Sequence, residues 1–217
     1  MKYLEKFEKI FESNNNTREF FDLLCYEAEC EEYHYGSRDK SGRIDLIHKY
    51  IFEKNVDINS ITLRDGHNYN YSPLTRMISL CDYPHYCYAE KIALFLIDIG
   101  ADVNIAPMYK ITPLMSATNL GNKEIVKKLI KNGARLDDQD LHGDTAFIRG
   151  INDSNGIQNT IEELIKAGAD WFIANEKGEY PWKLLSKFTY YMKHISKLYP
   201  EQYNNALMIA NAKNFNI

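Results

Sequence analysis

Two groups of residues have the types that bind metal or do thiol chemistry: Cys25, Cys30 and His34, and then Cys81, His85 and Cys87. Thiolate sulfur and imidazole nitrogen suit zinc, but zinc sites are usually built on Cys-x-x-Cys or His-x-x-x-His pairs that set two ligands side by side. Neither group has that spacing. The expectation is four reduced thiols with no metal and no cofactor, since a cytoplasmic setting keeps cysteines out of disulfides. A metal- or thiol-dependent activity in these two stretches stands as the alternative of another class. The six histidines are scattered. His142 is expected at an exposed turn and His48 on the inner side of a helix, as a core residue. No phosphate-cradling glycine loop, Gly-x-Ser-x-Gly elbow or His-Glu-x-x-His is present, so no enzyme is expected.

Composition narrows the class further. An apolar content of 45% is too high for a disordered chain. No apolar run approaches the roughly 20 residues that cross a bilayer. The opening Met1-Lys-Tyr-Leu-Glu-Lys-Phe-Glu8 lacks the apolar stretch of a secretory leader, and the expected location is the cytoplasm. The net charge of −4 gives no footing for nucleic acid. The oligomeric state is not legible.

What must position these residues is a repeat. Gly100-Ala-Asp-Val-Asn104, Gly133-Ala-Arg-Leu-Asp137 and Gly168-Ala-Asp-Trp171 mark one recurring point, with spacings of 33 and 35 residues. Ahead of them run Ser72-Pro-Leu74, Thr112-Pro-Leu114, Thr145-Ala-Phe147 and Tyr180-Pro-Trp182. A period near 33 indicates a small unit stacked on copies of itself. In the clearest unit, Thr112 caps a first helix, Pro113 sits where no backbone donor is needed, and Leu114 and Ala117 form the buried stripe. Gly121 ends that helix. Ile125, Val126, Leu129 and Ile130 give a second helix one apolar face, with lysines opposite. Gly133 then ends it.

These residues resemble the ankyrin repeat, and 106–138 fit it over nearly a whole unit. The resemblance implies an all-α solenoid of helix-turn-helix units joined by β-hairpin-like fingers, with helical caps at both ends. The expected divisions are a capping helix at 1–16, a degenerate unit at 17–62 and a repeat with an insertion at 63–105. Repeats at 106–139 and 140–174 follow, then a degenerate repeat and helical cap at 175–217, all in one continuous domain. In the degenerate unit Phe20, Phe21, Leu23 and Leu24 mark a first helix, and Ile44, Ile47, Ile51 and Phe52 a second. Trp182, Leu185, Phe188, Met192 and Ile195 suit one C-terminal helix, and Pro200 starts another.

The family's usual role is a non-catalytic scaffold that binds another protein through its concave face and fingers. Read so, the finger candidates are Tyr69 and Tyr71, then Met108, Tyr109 and Ile111, then Leu141, His142 and Asp144, then Glu176, Lys177 and Glu179. The palm adds Asn119, Leu120, Asn152 and Asp153. Asp137, Asp138, Asp140 and Asp144 crowd one finger, an acidic patch that suits a partner with a basic surface. An inhibitor or immunity-type protein that blocks a toxin or enzyme is the alternative of the same class. The resemblance also puts Asn104 where ankyrin asparagines are hydroxylated in animal cells.

Overall fold

A computed structural model describes Leu24 and residues 42–63, 70–83, 88–107, 109–152 and 157–212. The chain forms two compact units, Met1–Asp102 and Val103–Ile217. The expected capping helix at 1–16, and all of the degenerate first helix except Leu24, lie outside the described residues.

In the first unit, helix α1 spans Gly42–Lys54. The antiparallel strands β1 (Thr62–Leu63) and β2 (Asn70–Tyr71) pair Thr62 with Tyr71 and Leu63 with Asn70. Helices α2 (Pro73–Leu80) and α3 (Ala89–Asp98) follow and pack together. The sequence dictates the start of α2: Ser72 Oγ accepts from Thr75 N at 3.2 Å, and Pro73 occupies the first turn, where it forfeits no hydrogen bond. Leu74, Met77, Ile78, Ile92, Ala93, Leu96 and Ile97 fill the core between them. Leu24, Ile47, Tyr50 and Ile51 are buried too.

Two expectations fail on α1. Phe52 is exposed, and so is His48, whose ring lies 4.4 Å from that of Phe52. Tyr50, not singled out from the sequence, is buried instead. The buried positions 47, 50 and 51 define a stripe one residue away from both, so the ring pair sits on the water side of the helix.

The second unit is a run of helix pairs. Helices α4 (Pro113–Asn119) and α5 (Lys123–Lys131) lie within 106–139, and α6 (Ala146–Asn152) and α7 (Ile157–Ala167) within 140–174. Helices α8 (Pro181–Leu185), α9 (Thr189–Leu198) and α10 (Pro200–Ala212) follow. First helices pack on first helices, α4 on α6 and α6 on α8, while α5 packs on α7. Each pair thereby covers the apolar face its neighbour cannot cover alone. Helix α6 is enclosed so closely that a Cβ on Gly150 would stand 2.9 Å from Ile161 Cδ1.

Caps fix where the helices begin. Thr112 Oγ1 accepts from Met115 N at 3.1 Å, and Asn122 Oδ1 does the same for Ile125 N at 3.0 Å. Along α5, Ile125, Val126 and Leu129 are buried, as the spacing required, while Ile130, expected on the same face, is half-buried. At the far end, the single helix expected through Trp182 and Ile195 is two. Helix α8 stops at Leu185, and Phe188, expected inside, is 45% exposed at the start of α9. The break lets Trp182 and Leu185 bury in one direction and Tyr191, Met192 and Ile195 in another. Pro200 does start α10.

Aromatic rings join the last repeat to this end. Phe147 meets Trp171 edge-on at 5.3 Å, Trp171 lies 5.8 Å from Trp182, and Trp182 lies 5.7 Å from Tyr203. Both tryptophans are buried, so Trp171 shields the stack and does not face outward.

Gly133 (φ 84°) and Gly143 (φ 76°) both hold left-handed backbone. A Cβ at Gly133 would meet nothing within 4 Å, whereas at Gly143 it would stand 3.0 Å from the backbone of Asn175 and Glu176. Gly133→Ala should therefore cost only the conformational term, on the order of 1 kcal/mol. Gly143→Ala should cost distinctly more, because the next repeat's turn must shift. Thermal melts of the two variants check the ranking.

Candidate partner-binding surface

The turns that precede first helices are built by one device used twice. Asp140 Oδ1 accepts from the backbone N–H groups of His142 (2.8 Å) and Asp144 (2.9 Å). Thirty-five residues on, Asn175 Oδ1 accepts from Lys177 (3.0 Å) and Glu179 (2.9 Å). An Asx side chain curls its own loop in this way, and Gly143 and Gly178 provide the positive φ that closes it. At the matching place one repeat earlier stands Pro107, which has no side-chain acceptor. That turn instead puts two successive residues, Tyr109 (φ 51°) and Lys110 (φ 57°), in the left-handed region. Two adjacent positive φ angles are the pattern of a tight hairpin turn, and non-glycine residues hold it only under strain.

Neighbouring turns are stitched through the backbone. Leu141 N donates to Tyr109 O, and Glu176 N to His142 O, both at 3.0 Å. Gln139 Nε2 bridges Gly143 O (2.7 Å) and Ala174 O (2.9 Å). Where the repeats end, a second ladder recurs: Asn104 Oδ1 accepts from Arg135 N at 2.8 Å and Asp137 Oδ1 from Asp170 N at 2.9 Å. Asn59 Oδ1 accepts from Asp102 N at 2.8 Å within the first unit. Asn104, the residue singled out for hydroxylation, is thus a structural strut, its Nδ2 also donating to Gly133 O.

With these duties assigned, the candidates separate. Tyr109 and Leu141, 54% and 49% exposed, are adjacent apolar tips joined by the first of those stitches. His142, Glu176 and Lys177 are exposed beside them, and Ile111 is half-buried. Asn119 and Asn152 occupy equivalent exposed ends of the packed helices α4 and α6, with Leu120 half-buried after the first. Tyr71 belongs to the first unit, where the Arg76 guanidinium lies 5.7 Å from its ring. Tyr69, Met108 and Asp153 lie outside the described residues.

The acidic patch is largely spoken for. Asp140 is buried, not at the tip, and its Oδ2 is held by Arg149 through Nε at 2.9 Å and through Nη2. Asp138 accepts from Arg135 Nε at 2.8 Å, Asp144 from Asn175 Nδ2 at 2.7 Å, and Glu179 is half-buried beside the same amide. Sequence reasoning assigned Asp140 to a partner because it could not see Arg149, nine residues on. The same-side spacing of turn and helix was the only available signal.

The cysteine reading can be checked at one position. Cys81 is a free, half-buried thiol whose Sγ donates to Met77 O at 3.3 Å. Burial, with the Glu90 charge adding, pushes its thiol up to about 12, so the uncoordinated thiol stays protonated at neutral pH. Cys25, Cys30, His34, His85 and Cys87 lie outside the described residues, and among the described residues no group of three metal-binding side chains converges. No helix among them is long and apolar enough to cross a membrane.

A comparison with protein families matches residues 84–175 to ankyrin repeats, in three copies. Residues 84–175 are ankyrin repeats. Ankyrin repeats generally serve as protein–protein interaction modules. A comparison with curated proteins finds no match.

Two aspartates in these ankyrin repeats should respond to pH with opposite signs. Burial alone would raise the Asp140 carboxyl. The Arg149 hydrogen bond, the amides of Asp144 and His142, and the guanidinium charge outweigh it and hold it below the ordinary range. A depressed folded pKa stabilises above the unfolded value, and that stability is lost as pH falls through the folded one. Asp140→Ala should therefore cost about 3 kcal/mol at neutral pH and less in acid, because it leaves Arg149 uncompensated. Asp137 goes the other way: burial raises it, with the charges of Asp170 and Asp138 adding against the amide of Asp170. Its ionised form disfavours the fold, and stability falls as pH rises through its folded pKa. Asp137→Asn should raise the melting temperature at neutral pH and not below the ordinary Asp range. Urea unfolding across pH 3 to 7 checks both aspartates over about the carboxylate range.

Proposed function

We propose that the second unit is a non-catalytic scaffold that binds another protein through its turn tips and the adjoining ends of α4 and α6. The observation that carries this is the pair Tyr109 and Leu141. Two large apolar side chains stand about half exposed on neighbouring turns whose backbones are hydrogen-bonded together. Apolar and aromatic anchors held in a fixed geometry supply most of the energy at protein interfaces, because ordering them on binding costs little.

The partner's complement follows from the surroundings. Asn119 and Asn152 offer exposed amides beside the tips, and His142, Glu176 and Lys177 give a polar rim. Exposed Lys110 and Lys177 stand with exposed Asp170 and Glu176, so the partner presents an apolar patch flanked by polar groups of both signs.

Tyr109→Ala combined with Leu141→Ala should weaken partner binding by roughly 2 kcal/mol or more while the melting temperature stays put, because neither side chain is part of the core. Calorimetric titration beside a thermal melt reads both quantities. An unchanged affinity would remove the tips from the interface, and a large drop in melting temperature would mean that they pack.

A further inference from the structure

The outer helices of the second unit distribute charge by depth. Glu163 on α7 has only 10% of its side chain exposed, and its Oε1 lies 3.0 Å from Lys166 Nζ, 3.5 Å from Lys123 Nζ and 4.0 Å from Lys127 Nζ. Burial alone would raise its carboxyl, but the Lys166 hydrogen bond and the charges of Lys166, Lys127 and Lys123 hold it below the ordinary range. Glu162 beside it is also sunk: Oε1 lies 3.4 Å from His194 Nε2, and Oε2 accepts from Tyr199 Oη at 3.1 Å. The carboxylates thus form the floor, and the ammoniums of Lys123, Lys127 and Lys166 stand above it in water.

The same face continues onto α9. Lys166 Nζ lies 5.6 Å from the Tyr199 ring, at the end of that helix. Exposed Tyr190, Lys193 and Lys197 follow the i, i+3, i+7 spacing of one helical stripe, with exposed Leu198 next to its end. Tyr190 is 80% exposed. Lys123, Lys127, Lys166, Lys193 and Lys197 outnumber Glu124, Glu162 and Glu163, so the face is left positive, and it carries an exposed aromatic ring and a leucine.

We propose that the outer face of α5, α7 and α9 is a second docking surface, and that it takes an acidic protein segment. The segment's carboxylates would join Glu163 among Lys123, Lys127 and Lys166, and its apolar side chains would cover Tyr190 and Leu198. A protein fits better than a nucleic acid because exposed Leu198 offers apolar surface beside the lysines that an apolar side chain covers and a phosphate backbone does not. The proposal rests on these helices alone and stands apart from the turn-tip reading.

Fluorescence anisotropy of the full chain tests it, with three labelled probes: a short Glu/Leu peptide, an oligo-glutamate of equal length and a single-stranded oligothymidylate. The Glu/Leu peptide should bind tightest, and raising salt from low to about 0.15 M should weaken it. Lys127→Glu with Lys197→Glu should reduce its affinity about tenfold or more, and Tyr190→Ala several-fold. Tyr109→Ala with Leu141→Ala should leave it unchanged, which separates this surface from the turn tips. Thermal melts confirm that each variant folds; should the double lysine variant melt early, the corresponding Lys→Gln pair takes its place. Equal binding of oligo-glutamate with a silent Tyr190→Ala would reduce the contact to counter-ion attraction and overturn the proposal. Tighter binding of oligothymidylate, lost in the same lysine variants, would overturn it in favour of nucleic acid. No binding of the Glu/Leu peptide at low salt would overturn it outright.

Discussion

The three turns of the second unit are joined in sequence by backbone hydrogen bonds, and the rest of its architecture depends on that. Leu141 N reaches back to Tyr109 O, and Glu176 N to His142 O. Below them, Asn104 and Asp137 accept from the amides of Arg135 and Asp170. A helix pair of this length cannot bury its apolar face alone, and isolated helices of seven to eleven residues are marginal in water. Packing α4 on α6 and α5 on α7 solves the burial problem. The backbone stitches then fix the register at which that packing occurs.

From this division of labour comes the surface. Side chains that make the joints, Asn104, Asp140 and Asn175, are engaged at both of their polar atoms and have little left for a partner. Those that stand between them, Tyr109 and Leu141 above all, are about half exposed while their backbones are anchored. Rigid backbone under exposed anchors lowers the entropy lost on binding. The outer helices follow a different logic, in which Glu162 and Glu163 are used up as mortar between α5, α7 and α9 and the lysines face out.

Much of this was legible in the sequence because the repeat imposes the same demand at each copy. Thr112, Pro113 and Gly133 announce a cap, a first turn and a left-handed stop through chemistry that no tertiary contact alters, and the structure has all three. Amphipathic α5 was equally plain, since its apolar period matches a helix buried on one side. What failed lay where local signals were ambiguous or distant residues decided. On α1 the core takes Tyr50 and leaves Phe52, two residues on, in water. At the C-terminal end an apolar run looked like one helix because periodicity cannot register the change of direction between Leu185 and Tyr191. For the surface, spacing identified the exposed positions but not the pairing: Asp140 read as an acidic tip until Arg149 was seen to hold it.

Native-state hydrogen exchange resolved by residue tests the central claim most directly, that the joints between repeats hold the turns in place. If they do, the amides of Leu141, Glu176, Arg135 and Asp170 should exchange only when the repeats open, with protection close to that of amides within α5 and α7, although their turns lie at the surface. Exchange of these four amides at the rate of an unstructured loop, while the helices stay protected, would contradict the account.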